Sequence, residues 1–254
     1  MQRLIGIHAV EEALRAGRPI ERVVVARGAG NQRVQKIIDA CRTASIPLRF
    51  EAREALDREA GKGAVHQGVV AVAVAHRYRD LEEVVAPAGQ ASLLVLLDGV
   101  EDPHNLGAII RTAYAAGADA VVVPERRAAP LTETVGKAAA GALEYLPVAR
   151  VTNLNRALET LKAKEYWIFG LDEQATKDYD AVDYRGRAAV VLGGEGRGLH
   201  QQMAKHCDFL VRIPTAGRIA SLNVSVAAGV VLFEAMRQRG LLRNQLPGGV
   251  DHQP

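Results

Sequence analysis

The sequence predicts an α/β protein, and three observations carry that reading. Short β-branched or apolar runs recur along the chain, and helical stripes such as Val34, Ile37, Ile38 and Cys41 stand between them. From Leu93 onward five such runs alternate with helical segments, the pattern of a mostly parallel sheet with helices on both faces.

In the first part, the stripe at 34, 37, 38 and 41 follows Asn31, a residue suited to capping a helix. Residues 23–25, 47–50 and 67–75 read as strands, so the expected order is roughly αβαβαβ over residues 1–75. The charged stretch 76–83 and the Pro87 and Gly89 segment predict a linker over 76–91. Runs at 93–97, 120–123, 166–171, 188–192 and 209–213 predict a second domain over 92–239. The tail 240–254, with Pro247, Gly248 and Gly249, is expected to fray.

Composition narrows the function classes. With 254 residues, 48% hydrophobic and 24% charged, the chain can bury a sizeable core. Its apolar stretches fall short of the roughly 20 residues of a membrane span, and no secretory signal is visible ahead of Glu11, Glu12 and Arg15. A soluble cytoplasmic protein is expected. Cys41 and Cys207 stand apart among apolar neighbours, which predicts buried, reduced thiols and no metal cluster. Residues 1–80 hold 14 Lys and Arg against 9 Asp and Glu, a surplus of +5 within a net charge of +3. That asymmetry suits a polyanion bound by the first third, although an arginine-rich solvated surface looks the same.

Three loops follow predicted strands, where open α/β sheets bind ligands. The first, DGVEDPHNLGAIIRTA from Asp98, leads into a helix near Asn105. Leu106, Ile109, Ile110 and Ala113 form its buried stripe, and Arg111 falls about 150° away from the stripe's centre. A helix cap at Asn105 and a surface charge at Arg111 would read the same way. The second, GGEGRG from Gly193, permits close backbone approach at Gly193, Gly194 and Gly196 and places Glu195 among the glycines. Its spacing fails the dinucleotide pattern, which argues against a nicotinamide dehydrogenase. The third, IPTAGRIASLNVSVAAGVV from Ile213, puts Ser221, Leu222 and Asn223 at a helix start. Capping would account for one of the two polar residues.

In order and spacing these segments resemble the three motifs of the SpoU (TrmH-like) class of RNA 2′-O-methyltransferases. IGIHAVEEAL from Ile5, HQGVVA from His66 and PLTETVGKAAAGA from Pro130 are similar to the two-domain branch that methylates a guanosine in the peptidyl-transferase loop of 23S rRNA. The resemblance implies an L30e-like RNA-binding domain over 1–75 and a catalytic domain with a deep trefoil knot. It further implies S-adenosyl-L-methionine as cofactor with no metal, 23S rRNA as partner, and a homodimer. Gly193, Gly194, Gly196, Ile213 and Leu222 would hold the cofactor. Asn105, Arg111, Glu195, Ser221 and Asn223 would form the catalytic set. A guanidinium pKa above about 12 makes Arg111 a poor base, so it would clamp phosphate and stabilise charge on the 2′-oxygen, with Glu195 orienting it. The same chemistry on tRNA and a non-catalytic RNA-binding protein are the competing readings; the intact catalytic set speaks against the second.

Overall fold

The computed structural model describes all residues except 62, 87, 88, 90, 195–197, 218–220 and 241–254. Two compact units emerge: residues 1–78 with 102–111 and 129–147, and residues 79–101 and 112–128 with the described residues from Val148 on.

The first unit starts with a strand absent from the sequence reading. β1 (Gln2–Ile5) precedes α1 (Ile7–Arg15), β2 (Ile20–Ala26), α2 (Gln32–Thr43), β3 (Leu48–Glu51), α3 (Arg53–Ala60) and β4 (Val69–Ala73). Four residues, QRLI, carry too little periodicity to announce β1; its antiparallel pairing with β4 decides it. The sheet order is β1-β4-β2-β3, with β2 and β3 parallel and the other pairs antiparallel. Alternation along β2 sends Val23 and Val25 to a core shared with α1 and α2, and Val24 and Ala26 to one shared with α3. Asn31 caps α2 as expected, its Oδ1 accepting the Val34 N–H at 2.8 Å.

Residues 129–147 join this unit through α6 (Glu133–Ala139) and a 3₁₀ turn at Ala142–Glu144. Arg18 donates to Glu144 at 2.9 Å with both side chains buried, and also to Gln2 and the Val74 carbonyl. Tyr145 donates to Glu12, and His8 lies 3.1 Å from the Ala140 carbonyl.

The second unit is built on a seven-stranded parallel sheet. Its strands are β5 (Ser92–Asp98), β6 (Ala120–Pro124), β7 (Val148–Val151), β8 (Trp167–Leu171), β9 (Lys177–Asp178), β10 (Arg187–Gly193) and β11 (Phe209–Arg212). They lie in the order β7-β6-β5-β10-β8-β11-β9. β7 and β9 were not legible in the sequence, being four and two residues long. α4 (Leu81–Val85), α7 (Leu154–Ala163) and α8 (Gln201–His206) cover one face through Leu81, Val84, Leu158 and Met203. Part of the stretch expected as a linker is therefore core: Leu81, Val84 and Val85 are buried. α9 (Val224–Gln238) packs against β10.

α5 (Pro103–Ala115) starts two residues earlier than the sequence suggested. Proline suits the first helical position, and Asp102 Oδ1 accepts the His104 N–H at 2.9 Å. Asn105 is thus inside the helix and is not its cap, which removes the capping alternative for this residue. Among the described residues, no helix is long and apolar enough to cross a membrane.

Candidate functional site

Three neighbouring strands, β10, β8 and β11, end at one cleft of about 350 Å³. Leu171, Asp172 and Glu173 come from the end of β8, Leu192, Gly193 and Gly194 from β10 and its exit, and Ile213 and Thr215 from the chain after β11. Ser221, Leu222, Asn223 and Val224, at the start of α9, close the other side. All strands run parallel, so each delivers its carboxyl end to the same edge, and the loops that follow share one space.

The glycines here are dictated by the backbone. A Cβ on Gly193 would overlap the Gly198 carbonyl, and one on Gly194 would overlap the carbonyl of Gly99. Gly194 also donates its N–H to the Asp98 carbonyl at 2.7 Å and forms a bridge with Gly198. Close approach to a ligand is one demand on these positions, and the close crossing of main chains is a second and independent one.

Asn223 caps α9, with Oδ1 accepting the Ser225 N–H at 2.8 Å and the Ser225 hydroxyl at 2.6 Å. Ser221, two residues ahead, is exposed at the cleft and is not the cap. Of the two polar residues, capping thus accounts for Asn223.

The structure gathers Gly193, Gly194, Ile213, Ser221, Leu222 and Asn223 around this cleft. Glu195 and Gly196 lie outside the described residues. Asn105 and Arg111 belong to the unit of residues 1–78, on α5. Asn105 is buried, while Arg111 is exposed on the face away from Leu106, Ile109 and Ile110. Gly107, between them, sits where a Cβ would overlap Ala138, so the first half of α5 rides close on α6.

Sequence reasoning missed Asp172, Glu173 and Thr215. A signal existed for the first two, since they directly follow the strand-like run 166–171. Nothing local, however, says that β8 lies between β10 and β11.

Chemically, the cleft combines apolar walls from Leu171, Leu192, Ile213, Leu222 and Val224 with two carboxylates, Asp172 and Glu173, and the positive end of a 15-residue helix. That set suits a ligand with a flat apolar ring, hydroxyl or cationic groups, and a carboxylate. Among the described residues, no three His, Cys, Asp or Glu side chains are grouped to hold a metal ion.

Comparison with known proteins matches the SpoU rRNA Methylase family over residues 92–233 and the family described as RNA 2'-O ribose methyltransferase substrate binding over residues 3–79. The chain is 44% identical over 245 residues to the 23S rRNA (guanosine-2'-O-)-methyltransferase RlmB of Xylella fastidiosa, covering 95% of this chain and 98% of that one. Among solved structures, the SpoU methyltransferase AviRb from Streptomyces viridochromogenes in complex with AdoMet is similar with a TM-score of 0.81. It is 27% identical, covering 94% of this chain and 90% of that chain. An AdoMet-bound rRNA methyltransferase from Sinorhizobium meliloti gives a TM-score of 0.79 at 27% identity, covering 93% and 87%.

Proposed function

The chain belongs to the SpoU rRNA methylase family, and from that membership we propose that it methylates the ribose 2′-hydroxyl of a guanosine in the peptidyl-transferase loop of 23S rRNA. The observation that carries the reading is the single cleft at the ends of β10, β8 and β11, where the second and third motifs meet.

S-adenosylmethionine supplies an activated methyl group on a sulfonium. The residues present fit it: Leu192, Ile213 and Leu222 offer apolar surface to an adenine ring, and Asp172 and Glu173 offer acceptors and negative charge to hydroxyl and cationic groups. Gly193 and Gly194 keep the wall at main-chain width. Ser221 lines the cleft and offers its hydroxyl to the bound ligand.

Transfer to a ribose oxygen needs alignment of the acceptor and stabilisation of the charge that develops as its proton leaves. Arg111 serves the second need: exposed, always cationic and planar, it pairs with phosphate or a developing alkoxide. By the family resemblance, Asn105, Ser221 and Asn223 position ribose and cofactor, and Glu195 orients Arg111. These roles rest on the family resemblance together with the exposure of Arg111.

Residues 1–75 recognise RNA, supported by the substrate-binding family match and the surplus of positive charge. The enzyme works as a homodimer in the cytoplasm, with Arg111 beside the partner's cleft. The strand order, with β10 inserted between β5 and β8, supports the threaded C-terminal topology expected of the class.

Titration calorimetry with S-adenosylhomocysteine tests the cleft, and mass-spectrometric mapping of ribose methylation in a deletion strain tests the target. Absence of binding, or an unchanged 23S rRNA methylation map, would refute the corresponding half.

A further inference from the structure

One buried aspartate touches the glycine segment that walls the cleft at its start, through its main chain, and just past its end, through its carboxylate. Asp98, the last residue of β5, is 1% exposed. Its main-chain carbonyl accepts the Gly194 N–H at 2.7 Å. Its side chain reaches the far end, where His200 Nδ1 lies 2.8 Å from Oδ2. Arg127, in the loop after β6, completes the cluster: Nη2 is 3.4 Å from Asp98 Oδ1 and Nη1 is 2.9 Å from His200 Nε2.

Donor and acceptor rules assign the protons. Arginine only donates, so its contact requires His200 Nε2 as an acceptor. Nδ1 then carries the ring proton and donates it to Asp98. One neutral tautomer of His200 satisfies both contacts. Arg127 meanwhile holds φ at 61°, a left-handed conformation that residues with a Cβ seldom adopt.

None of the three side chains lines the cleft, so whatever they do there they do through the glycine wall. That wall has little freedom of its own. Gly193 abuts Gly198, Gly194 abuts Gly99, and His200 follows Gly198 by two residues. With its main chain bonded to Gly194 and its carboxylate to His200, Asp98 therefore holds Gly194 and the chain just beyond Gly198 in place, alongside the direct bridge between the two glycines. His200 is the residue before α8, yet its side chain makes no capping bond there, so replacing it leaves that helix start intact.

We infer that Asp98, His200 and Arg127 are positioning residues that fasten the Gly193, Gly194 and Gly198 wall of the cleft, with the His200 Nδ1–H to Asp98 bond as the fastening. The inference rests on the reading of this cleft as the S-adenosylmethionine site.

Calorimetry with S-adenosylhomocysteine on the full chain decides it, using wild type, Arg127→Ala and three His200 variants. Asparagine can place an N–H near the position of imidazole Nδ1, whereas glutamine reaches toward that of Nε2 and alanine offers neither. His200→Ala and His200→Gln are expected to weaken binding about tenfold, the scale of a lost hydrogen bond to a charged group. His200→Asn should stay within about threefold of wild type, and Arg127→Ala should fall between. Melting temperatures should fall by a few degrees where the buried Asp98 carboxylate loses a partner and least in His200→Asn, and affinities are compared on protein that is folded at the assay temperature. In turnover the loss should sit in KM for S-adenosylmethionine, with kcat nearly unchanged. Wild-type affinity in every variant, or equal losses in His200→Asn and His200→Gln, would overturn the fastening alone. No binding by the wild type would overturn the cofactor reading and this inference with it.

Discussion

Gly193 faces the main-chain carbonyl of Gly198 so closely that a Cβ on Gly193 would overlap it. Gly193→Ala is therefore expected to push the two backbone segments apart at the edge of the cleft. Overpacking of this kind costs about 1–3 kcal/mol, so the variant should fold with a lowered melting temperature. Its affinity for S-adenosylhomocysteine should be lost. Calorimetry on the folded variant checks this, and wild-type affinity would show that the wall does not shape the site.

Arg111 is exposed on α5, so its removal should leave folding intact. Loss of a charge-assisted contact made mainly in the transition state costs on the order of 3 kcal/mol, roughly a hundredfold in rate. Arg111→Lys keeps charge without the planar fork and should rescue little. Single-turnover methylation at saturating RNA is the measurement; a near-wild-type rate in Arg111→Ala would remove the residue from the mechanism.

Deleting residues 1–75 is not a clean test of RNA binding, because Arg18 and Glu12 bond to Glu144 and Tyr145 within the first unit. Charge reversal is cleaner. Arg27, Arg49 and Arg53 are exposed around the end of β3, and reversing all three should raise the KM for rRNA and flatten its salt dependence. Cofactor affinity should stay as it was. An unchanged KM would place the RNA elsewhere on the domain.

Glu144 shows how the first unit answers to pH. Burial raises its pKa, but the hydrogen bonds and charges of His76 and Arg18 outweigh burial and hold it below its ordinary 4.5. The folded state therefore gains stability that is present above pH 4.5 and lost as pH falls through the depressed value. Arg18→Ala leaves a buried carboxylate poorly compensated and should cost about 3 kcal/mol at neutral pH. Denaturant titrations from pH 7 to 3 should show the gap to wild type closing in acid; a constant gap would mean that packing, not charge, holds this contact.

The two thiols should be inert in the native state. Burial pushes Cys41 up to about 11 and Cys207 up to about 12, so the reactive thiolate is scarce at neutral pH. Cys207 is only half-buried, which departs from the expectation of two fully buried thiols. A disulfide reagent at pH 8 should label neither quickly in the folded protein and both after unfolding. Rapid labelling of the native chain would contradict the burial.

The sequence by itself determined what is local or motif-bound. Helical stripes such as Val34 to Cys41, the Asn31 cap, the long apolar strands and the exposed side of Arg111 all follow from spacing along a single element. The three motifs, taken together, were sufficient to identify the methyltransferase family. Tertiary structure decided the rest. β1, β7 and β9 are too short to carry a period, and each exists because a distant partner pairs with it. Asp172 and Glu173 became part of the cleft only when β8 took its place between β10 and β11. Residues 129–147 joined the first unit through the buried Arg18 to Glu144 pair, and Asp98 acquired its two hold points on the glycine segment, by contacts between residues about a hundred positions apart. Pattern along the chain encodes which face of an element is apolar; which elements become neighbours is set by the packing of those faces against one another, and that exists only in the assembled fold.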